Sequence, residues 1–179
     1  MCEYTFCQER YAITVCRIEP ENNIHCILEA FARQTKMPLV IVGDWKSSDY
    51  GLSLLGKYGS DSNIHLLGPI YNSERINFLR SNAFMYIHGH SAGGTNPSLV
   101  EAMFLGLPVF AFDCVYNRYT AENQCMYWSN VDELYGYITY YENVRLSEIG
   151  ANMKQIAEKR YRWENIVSKY EALFGNPAL

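Results

Sequence analysis

The stretch AFMYIHGHSAGGTNPSLVEAMFLGLPVFAF, residues 83–112, decides the fold of this chain. Residues 83–88 form a short apolar run that predicts a buried strand, and residues 109–112 predict a second one. Between them, the Asn-Pro pair at 96–97 is typical of the start of a helix, and Gly106 is typical of the residue that follows its end. Two buried strands joined by a helix predict a right-handed unit with a parallel strand pair.

The segment that precedes this helix is rich in glycine. Gly93 and Gly94 carry no Cβ, so a ligand can approach the backbone closely, and the first turn of a helix presents N–H groups that favour an anion. Glu101 follows about one turn further along, among mostly apolar neighbours, which favours a ligand-facing carboxylate over a solvated one. The loop therefore predicts an anion site; the alternative is that the glycines serve the loop alone.

Composition limits the class of protein. The chain has 179 residues, of which 49% are hydrophobic and 15% aromatic, enough for one domain with a packed core. The net charge of −4 and the lack of a basic cluster argue against a nucleic-acid partner. We find no signal-peptide pattern and no apolar run of about 18 residues, so we expect no membrane span.

The six cysteines show no C-x-x-C spacing, and several lie in apolar runs. We expect reduced thiols of a cytoplasmic protein, rather than a disulfide framework or a zinc site.

Strand and helix patterns alternate along the rest of the chain. Further strands are predicted at 11–16, 39–42 and 64–67, a short helix and a short edge strand within 119–128, and further helices at 24–36, 50–58, 74–81, 131–141, 145–159 and 163–174. This order predicts an α/β fold: a doubly wound parallel sheet with helices on both faces and a helical C-terminus. Ligands of such sheets bind at the carboxyl edge, where we expect loops at 17–23, 44–49, 69–73, 89–95 and 113–118.

Several polar side chains are predicted to lie on these loops. Arg17 directly follows a strand and is a candidate phosphate partner, although an ordinary surface arginine is the alternative. His88 and His90 could begin a metal site, but no third ligand is evident, so we predict no metal and favour hydrogen bonds to a ligand or to the loop. Asp113 is expected to accept a hydrogen bond from the turn that follows it.

Four segments carry a resemblance to a known family: CRIEPENNIHCILEAF, PLVIVGD, the run from NIHLLGPIYNSERINFLRS through to PVFAFD, and YRWENIVSKYEALF. Together they resemble the C-terminal half of a family 4 retaining glycosyltransferase of the GT-B fold, over about residues 11–174. The segment HGHSAGGTNPSLVEAM, residues 88–103, resembles the sequences of a bacterial subgroup that acts in O-antigen, lipopolysaccharide and capsule biosynthesis. This subgroup includes rhamnosyl- and N-acetylhexosaminyl-transferases.

The resemblance implies a Rossmann-like donor-binding domain at 11–179, preceded by a lead-in or linker at 1–10. It implies a UDP- or dTDP-sugar as donor, with no metal or other cofactor. The acceptor, a glycan or an undecaprenyl-linked sugar, would be held by an N-terminal domain, so we expect a domain that is inactive alone. The implied location is the cytoplasm, with peripheral attachment to the inner membrane. A non-catalytic nucleotide or phospho-ligand module, or a nucleotide-sugar epimerase of the same fold, remains as an alternative.

Site residues follow from the same resemblance, position by position. Glu101 matches the second glutamate of the Glu-x7-Glu motif, which bonds the donor ribose, whereas the first glutamate falls on Gly93. Arg17 matches the diphosphate-binding arginine, and the lysine expected six residues later falls on Asn23. The expected catalytic residues are thus Arg17 and Glu101. The expected donor-binding residues are Arg17, Gly68, Ile70, Tyr71, His90, Gly93, Gly94, Thr95, Asn96 and Glu101.

Overall fold

A computed structural model of the chain describes residues 5–33 and 37–174. Its strands are β1 (Ala12–Val15), β2 (Leu39–Val42), β3 (Ile64–Leu67), β4 (Met85–His88), β5 (Val109–Phe112) and β6 (Met126–Trp128). They form one sheet in the order β3–β2–β1–β4–β5–β6, and each neighbouring pair is parallel. The predicted doubly wound parallel sheet is confirmed.

Helices cover both faces of this sheet. They are α1 (Ile24–Ala32), α2 (Asp49–Tyr58), α3 (Ser73–Ser81), α4 (Pro97–Phe104), α5 (Val115–Thr120), α6 (Val131–Thr139), α7 (Leu146–Arg160) and α8 (Trp163–Phe174). On one face, α1 and α6 pack together over a core that includes Phe31, Phe110 and Trp128. On the other, α4 packs against α7 over a core that includes Tyr86 and Met103. Such two-sided burial explains why the strands are nearly continuous apolar runs.

Local signals set the start and end of α4 as predicted. Pro97 is its first residue, and the side chain of Asn96 accepts a hydrogen bond of 3.0 Å from the backbone N–H of Ser98. Beyond the helix, Gly106 takes a φ of 70°, a left-handed conformation that glycine adopts without steric penalty. The N–H groups of this first turn lie at the carboxyl edge of the sheet.

Two segments differ from the prediction in their secondary structure. The loop predicted at 113–118 instead enters α5, because the buried Asn117 donates hydrogen bonds of 2.8 Å to the carbonyl oxygens of Phe112 and His90 and so draws the segment onto the sheet. The helix predicted at 24–36 ends at Ala32, with residues 34–36 outside the described part.

The N-terminal segment contributes an aromatic side chain to the core and contains a disulfide-bonded cysteine. Phe6, in the predicted lead-in, is buried, with ring centroids 5.2 Å from Tyr11 and 4.6 Å from His65, because its aromatic ring covers apolar surface at the end of the sheet. Cys7 is disulfide-bonded, so the prediction of six reduced thiols is wrong at this residue. Cysteines 16, 26, 114 and 125 are free, as predicted.

The last helix stands apart from the core. Its apolar stripe, which includes Trp163, Val167, Tyr170 and Phe174, is exposed, and none of its residues is buried. No helix within the described ranges has the length and apolar character needed to cross a bilayer.

Candidate functional site

The strand order reverses between β1 and β4, which are neighbours although β2 and β3 lie between them in the chain. In such sheets the loops that leave two strands of this kind run to opposite faces, and a crevice opens at their carboxyl ends. The segment after β1 contains Arg17 and a 3-10 turn at Pro20–Asn22. The segment after β4, residues 89–95, contains Gly89, Gly93 and Gly94 and is called the glycine loop. Both predicted anion-binding segments thus meet at this point of the sheet.

The two segments are joined directly. Asn23 donates a side-chain hydrogen bond of 2.8 Å to the carbonyl oxygen of Gly89, and both the N–H and the hydroxyl of Ser91 donate to the carbonyl oxygen of Glu21 at 2.9 Å. A Cβ on Gly89 would lie 2.0 Å from the carbonyl oxygen of Asn22. Glycine at position 89 is therefore required by a close backbone approach, and Asn23 holds the two loops together.

The two histidines of the glycine loop differ in their surroundings. His90 Nδ1 lies 2.8 Å from the side-chain oxygen of Asn22, so His90 bonds the neighbouring loop after β1 rather than its own loop. His88 is buried; burial, with a smaller effect of His90, lowers its pKa to about 3, and its Nε2 has no hydrogen-bond partner among the described residues. Within that part of the chain, no group of three or more His, Cys, Asp or Glu side chains could hold a metal ion.

A cavity of about 480 Å³ opens at the carboxyl ends of β1, β2 and β3. Its lining includes Arg17 after β1, Asp44 after β2, Ile70 and Tyr71 after β3, and Ser98 from the first turn of α4. A volume of this size suits a ligand of several hundred daltons. The cavity thus brings together three of the predicted site residues, one charged and two apolar or aromatic.

The guanidinium of Arg17 lies between two carboxylates. Its nitrogens are 3.2 Å from Glu19 and 3.6 Å from Glu21, while 72% of its side chain is exposed. The side chains of Glu19 and Glu21 also share a hydrogen bond, which raises the pKa of Glu19 and lowers that of Glu21. The predicted phosphate partner is therefore accessible, but its charge is compensated by neighbours that the sequence analysis did not single out.

Glu101 lies on α4 and forms an ion pair that the sequence analysis missed. Arg80, near the end of α3, places its Nη2 2.5 Å from Glu101 Oε2. The arginine side chain is only 6% exposed, whereas that of Glu101 is 53% exposed. A sequence signal for Arg80 was weak, because it is a single charge at the end of a short helix whose other polar residues face solvent.

The remaining predicted residues lie outside the cavity lining. Gly93 and Gly94 have φ values of 55° and 57°, and a Cβ on either would meet nothing within 4 Å. These two glycines and Thr95 are exposed, and Asn96 caps α4. Gly68 is exposed in the turn that carries Ile70 and Tyr71. The glycine loop is thus open to solvent and has room for a ligand.

Asp113 has the structural role that its position at the end of a strand predicts. Its two oxygens accept hydrogen bonds from Nε and Nη2 of Arg118 at 2.5 and 2.7 Å. These bonds hold the pKa of Asp113 below its usual range. Because Arg118 lies in the second half of α5, this ion pair holds α5 against the end of β5. Asp113 therefore has a structural role.

Solved structures share this fold. Over 95% of the chain, it superimposes on HepE from Anabaena in complex with UDP-glucose, with a TM-score of 0.81 and 20% identity, covering 50% of that protein. For sucrose-phosphate synthase from Thermosynechococcus elongatus, the TM-score is 0.79 and the identity 19%, over 94% of this chain and 45% of the synthase. For the pneumococcal O-GlcNAc transferase GtfA, in complex with UDP and GlcNAc, the TM-score is 0.72 and the identity 21%, over 93% of this chain and 36% of GtfA. The chain thus spans half or less of the length of these proteins.

No curated protein sequence matches the chain significantly. A family model described as glycosyl transferases group 1 matches residues 6–160, which include all six strands and the whole candidate site. Since this match covers most of the sequence, the chain belongs to the glycosyl transferases group 1 family.

Proposed function

We propose that this chain binds a UDP- or dTDP-sugar as the donor-binding half of a retaining glycosyltransferase. The observation that carries the proposal is the cavity at the carboxyl edge of the sheet, which has a guanidinium, an aromatic turn and the first turn of α4 in its lining. A nucleoside diphosphate needs a counter-charge for its phosphates and a flat surface for its base. Arg17 supplies the first, and the turn with Ile70 and Tyr71 supplies the second.

Arg17 is suited to the diphosphate by its exposure. Exposed ion pairs of the kind it forms with Glu19 and Glu21 contribute about 0.2–1 kcal/mol each, so a diphosphate can displace them. During transfer, negative charge grows on the leaving diphosphate, where a fixed guanidinium and a helix N-terminus stabilise it. The loss of one such donor typically raises a barrier by about 3 kcal/mol. We propose that these groups, without a metal ion, carry that charge.

The sugar end of the donor would lie towards the glycine loop. Gly93, Gly94 and Thr95 are exposed and precede the capped start of α4, so their N–H groups can face a phosphate or a sugar hydroxyl. Glu101 would accept hydrogen bonds from the ribose hydroxyls through its half-exposed carboxylate. His90 would add a contact at the edge of the same loop.

For the longer protein we propose transfer of a hexose, an N-acetylhexosamine or a rhamnose. The acceptor would be a growing, undecaprenyl-linked surface polysaccharide such as O-antigen, at the cytoplasmic face of the inner membrane. Two structural neighbours were solved as complexes, one with UDP-glucose and the other with UDP and GlcNAc. The acceptor would occupy a second domain that this chain does not contain, so the chain alone should not transfer sugar.

Calorimetric titration of the chain with UDP, dTDP and GDP tests the proposal. We expect UDP or dTDP to bind without metal, and added Mg²⁺ to change the affinity little. Arg17→Ala should weaken nucleotide binding strongly but leave binding of the free nucleoside unchanged. Arg145→Ala, which removes an exposed arginine on the C-terminal side of the fold, is the matched control. Absence of binding to all three nucleotides would contradict the proposal.

A second candidate is a non-catalytic nucleotide or phospho-ligand module. It is favoured by Gly93, which stands where a sugar-binding carboxylate is expected, and by Asn23, whose amide is engaged with Gly89 where a lysine is expected. Under this alternative the chain would bind nucleoside diphosphates. The longer protein, with its N-terminal domain, would neither transfer the sugar of a UDP- or dTDP-sugar to an acceptor, which forms a glycoside, nor hydrolyse it to free sugar. Detection of either product would exclude it.

A further inference from the structure

Arg80 is a charged residue in an apolar part of the fold. It is 5% exposed and lies next to the fully buried Leu79 at the end of α3. A guanidinium keeps its charge in any environment, so it needs a counter-charge when it leaves water. Glu101 supplies that charge through the contact of 2.5 Å between Arg80 Nη2 and Glu101 Oε2.

The pair is asymmetric in its burial. The arginine lies below the surface, while about half of the Glu101 side chain reaches solvent. The contact is made through one carboxylate oxygen, and α4 brings Glu101 one turn beyond Ser98, which lines the cavity. An ion pair anchored from beneath fixes the rotamer of a carboxylate and leaves its outer side accessible to a ligand.

Two further observations describe the surroundings of Arg80. Burial raises the pKa of Tyr86, and the nearby charge of Arg80 opposes that effect. The hydroxyl of Tyr86 in turn donates a hydrogen bond of 3.2 Å to the carbonyl oxygen of Val15, which lines the cavity. Arg80 Nε is buried without a hydrogen-bond partner among the described residues, so the guanidinium depends on its ion pair with Glu101 for compensation.

We infer that Arg80 is a positioning residue that holds the carboxylate of Glu101 oriented for the ribose hydroxyls of the donor. The inference rests on the proposed function, because it concerns the same nucleotide site. A carboxylate held in this way accepts hydrogen bonds from the ribose without losing further side-chain freedom on binding. Removal of Arg80 should therefore weaken recognition of the ribose and leave the contacts of the base and diphosphate intact.

The test compares UDP with 2′,3′-dideoxy-UDP, or dTDP with 3′-deoxy-dTDP if thymidine is the preferred base. We expect the wild-type chain to bind the nucleotide with ribose hydroxyls about tenfold or more tightly, as hydrogen bonds to a charged group imply. Arg80→Met should reduce this preference to about twofold, with little change for the deoxy analogue. Arg80→Lys, which keeps the charge, should retain part of the preference.

Controls separate this role from a structural one. Glu101→Gln should lower the same preference, and Arg80→Met in that background should lower it no further. Arg145→Met, which removes an exposed arginine, should leave it unchanged. Melting temperatures show which variants are folded, and Arg80→Lys provides the comparison if Arg80→Met does not fold.

The outcomes are distinguishable. A wild-type preference that persists in Arg80→Met, or in Glu101→Gln, overturns the positioning role while the proposed function stands. A wild-type chain that binds none of the nucleotides overturns the proposed function and this inference with it.

Discussion

The side chain of Asn23 donates a hydrogen bond of 2.8 Å to the carbonyl oxygen of Gly89, across the point at which the strand order reverses. Asn23 follows the 3-10 turn after β1 with a φ of 49°, in the left-handed region that asparagine tolerates better than most residues. Its amide is thus used to join the loops that follow β1 and β4. A residue at the position of an expected phosphate-binding lysine has a structural role instead.

Substitutions of Asn23 should separate this hydrogen bond from the backbone conformation. Asn23→Gly keeps the left-handed φ and loses the bond, so we expect a loss of about 1 kcal/mol in the free energy of unfolding. Asn23→Ala should lose about 1 kcal/mol more, because alanine is strained at this φ. Urea denaturation measures both. Asn123→Gly, at an exposed residue with a φ of 58° whose side chain accepts a longer bond of 3.3 Å from Arg118, is the comparison. A stability of Asn23→Gly equal to that of the wild-type chain would show that the bond to Gly89 contributes nothing.

Gly89→Ala tests the close approach of the same two loops. The new Cβ would lie 2.0 Å from the carbonyl oxygen of Asn22 and 3.0 Å from Cδ1 of Ile27. We expect a loss of about 2 kcal/mol or more, since backbone must move to relieve the first contact. Gly56→Ala on α2, where a Cβ meets nothing within 4 Å, should instead gain about 0.5–1 kcal/mol. Similar urea midpoints for the two variants would contradict this explanation of Gly89.

Glu101→Ala should lower stability as well as ribose recognition. It leaves the buried Arg80 without its counter-charge. We expect a loss of about 2 kcal/mol, below the 3–5 kcal/mol typical of a fully buried pair, because Glu101 is half exposed. Glu148→Ala, which breaks an exposed pair with Arg145 at 3.5 Å, should change stability by about 0.5 kcal/mol or less. Addition of Arg80→Met to Glu101→Ala should recover part of the loss in urea denaturation; no recovery would argue against an uncompensated charge.

The elements that the sequence predicted well are those with local causes. The cap at Asn96, the proline that follows it and the left-handed Gly106 bound α4 through contacts within a few residues. The buried strands could be predicted because a parallel sheet covered on both faces requires continuous apolar runs. By contrast, α5 replaced a predicted loop because Asn117 bonds a carbonyl oxygen from β5 and another from the loop after β4, and no local pattern encodes the second of these contacts.

The candidate site was predicted in part for a similar reason. The position after a strand end indicated Arg17, the family resemblance indicated Ile70 and Tyr71, and the fold brings these three residues to one cavity. The partners of the charged residues could not be predicted, because Arg80 and Glu101 are 21 positions apart on different helices. The spacing of Glu19 and Glu21 from Arg17 is local, but the path of the chain around the 3-10 turn determines that both carboxylates face the guanidinium.

The carboxylates around Arg17 should restrain anion binding. In a Glu19→Gln/Glu21→Gln double variant, the guanidinium no longer has to exchange two carboxylates for a phosphate. We expect UDP affinity to rise by about two- to tenfold, as the strength of exposed ion pairs implies, with the larger gain at low ionic strength. Uridine affinity, measured in the same titrations, should not change. A double variant with unaltered or weaker UDP binding would show that the carboxylates do not compete with the diphosphate.

His88 should make the folded state sensitive to acid. Its pKa is about 3 in the folded chain because of burial, against about 6.5 when unfolded. Between these values the unfolded state binds the additional proton, so the free energy of unfolding should fall as the pH is lowered, with a slope approaching about 1.4 kcal/mol per pH unit. The contribution of His88 to the free energy of unfolding is fully present above the unfolded pKa of about 6.5. It is lost as the pH falls towards the folded pKa of about 3.

A His88→Gln variant isolates that contribution, because glutamine keeps a polar group near Asn117 but does not titrate. Urea denaturation between about pH 7 and pH 5 should show a shallower loss of stability in this variant than in the wild-type chain. His65→Gln is the matched control: burial also lowers the pKa of His65, but this residue is only partly buried, so its removal should flatten the profile less. Identical profiles for the wild-type chain and His88→Gln would mean that the buried imidazole gains its proton without unfolding.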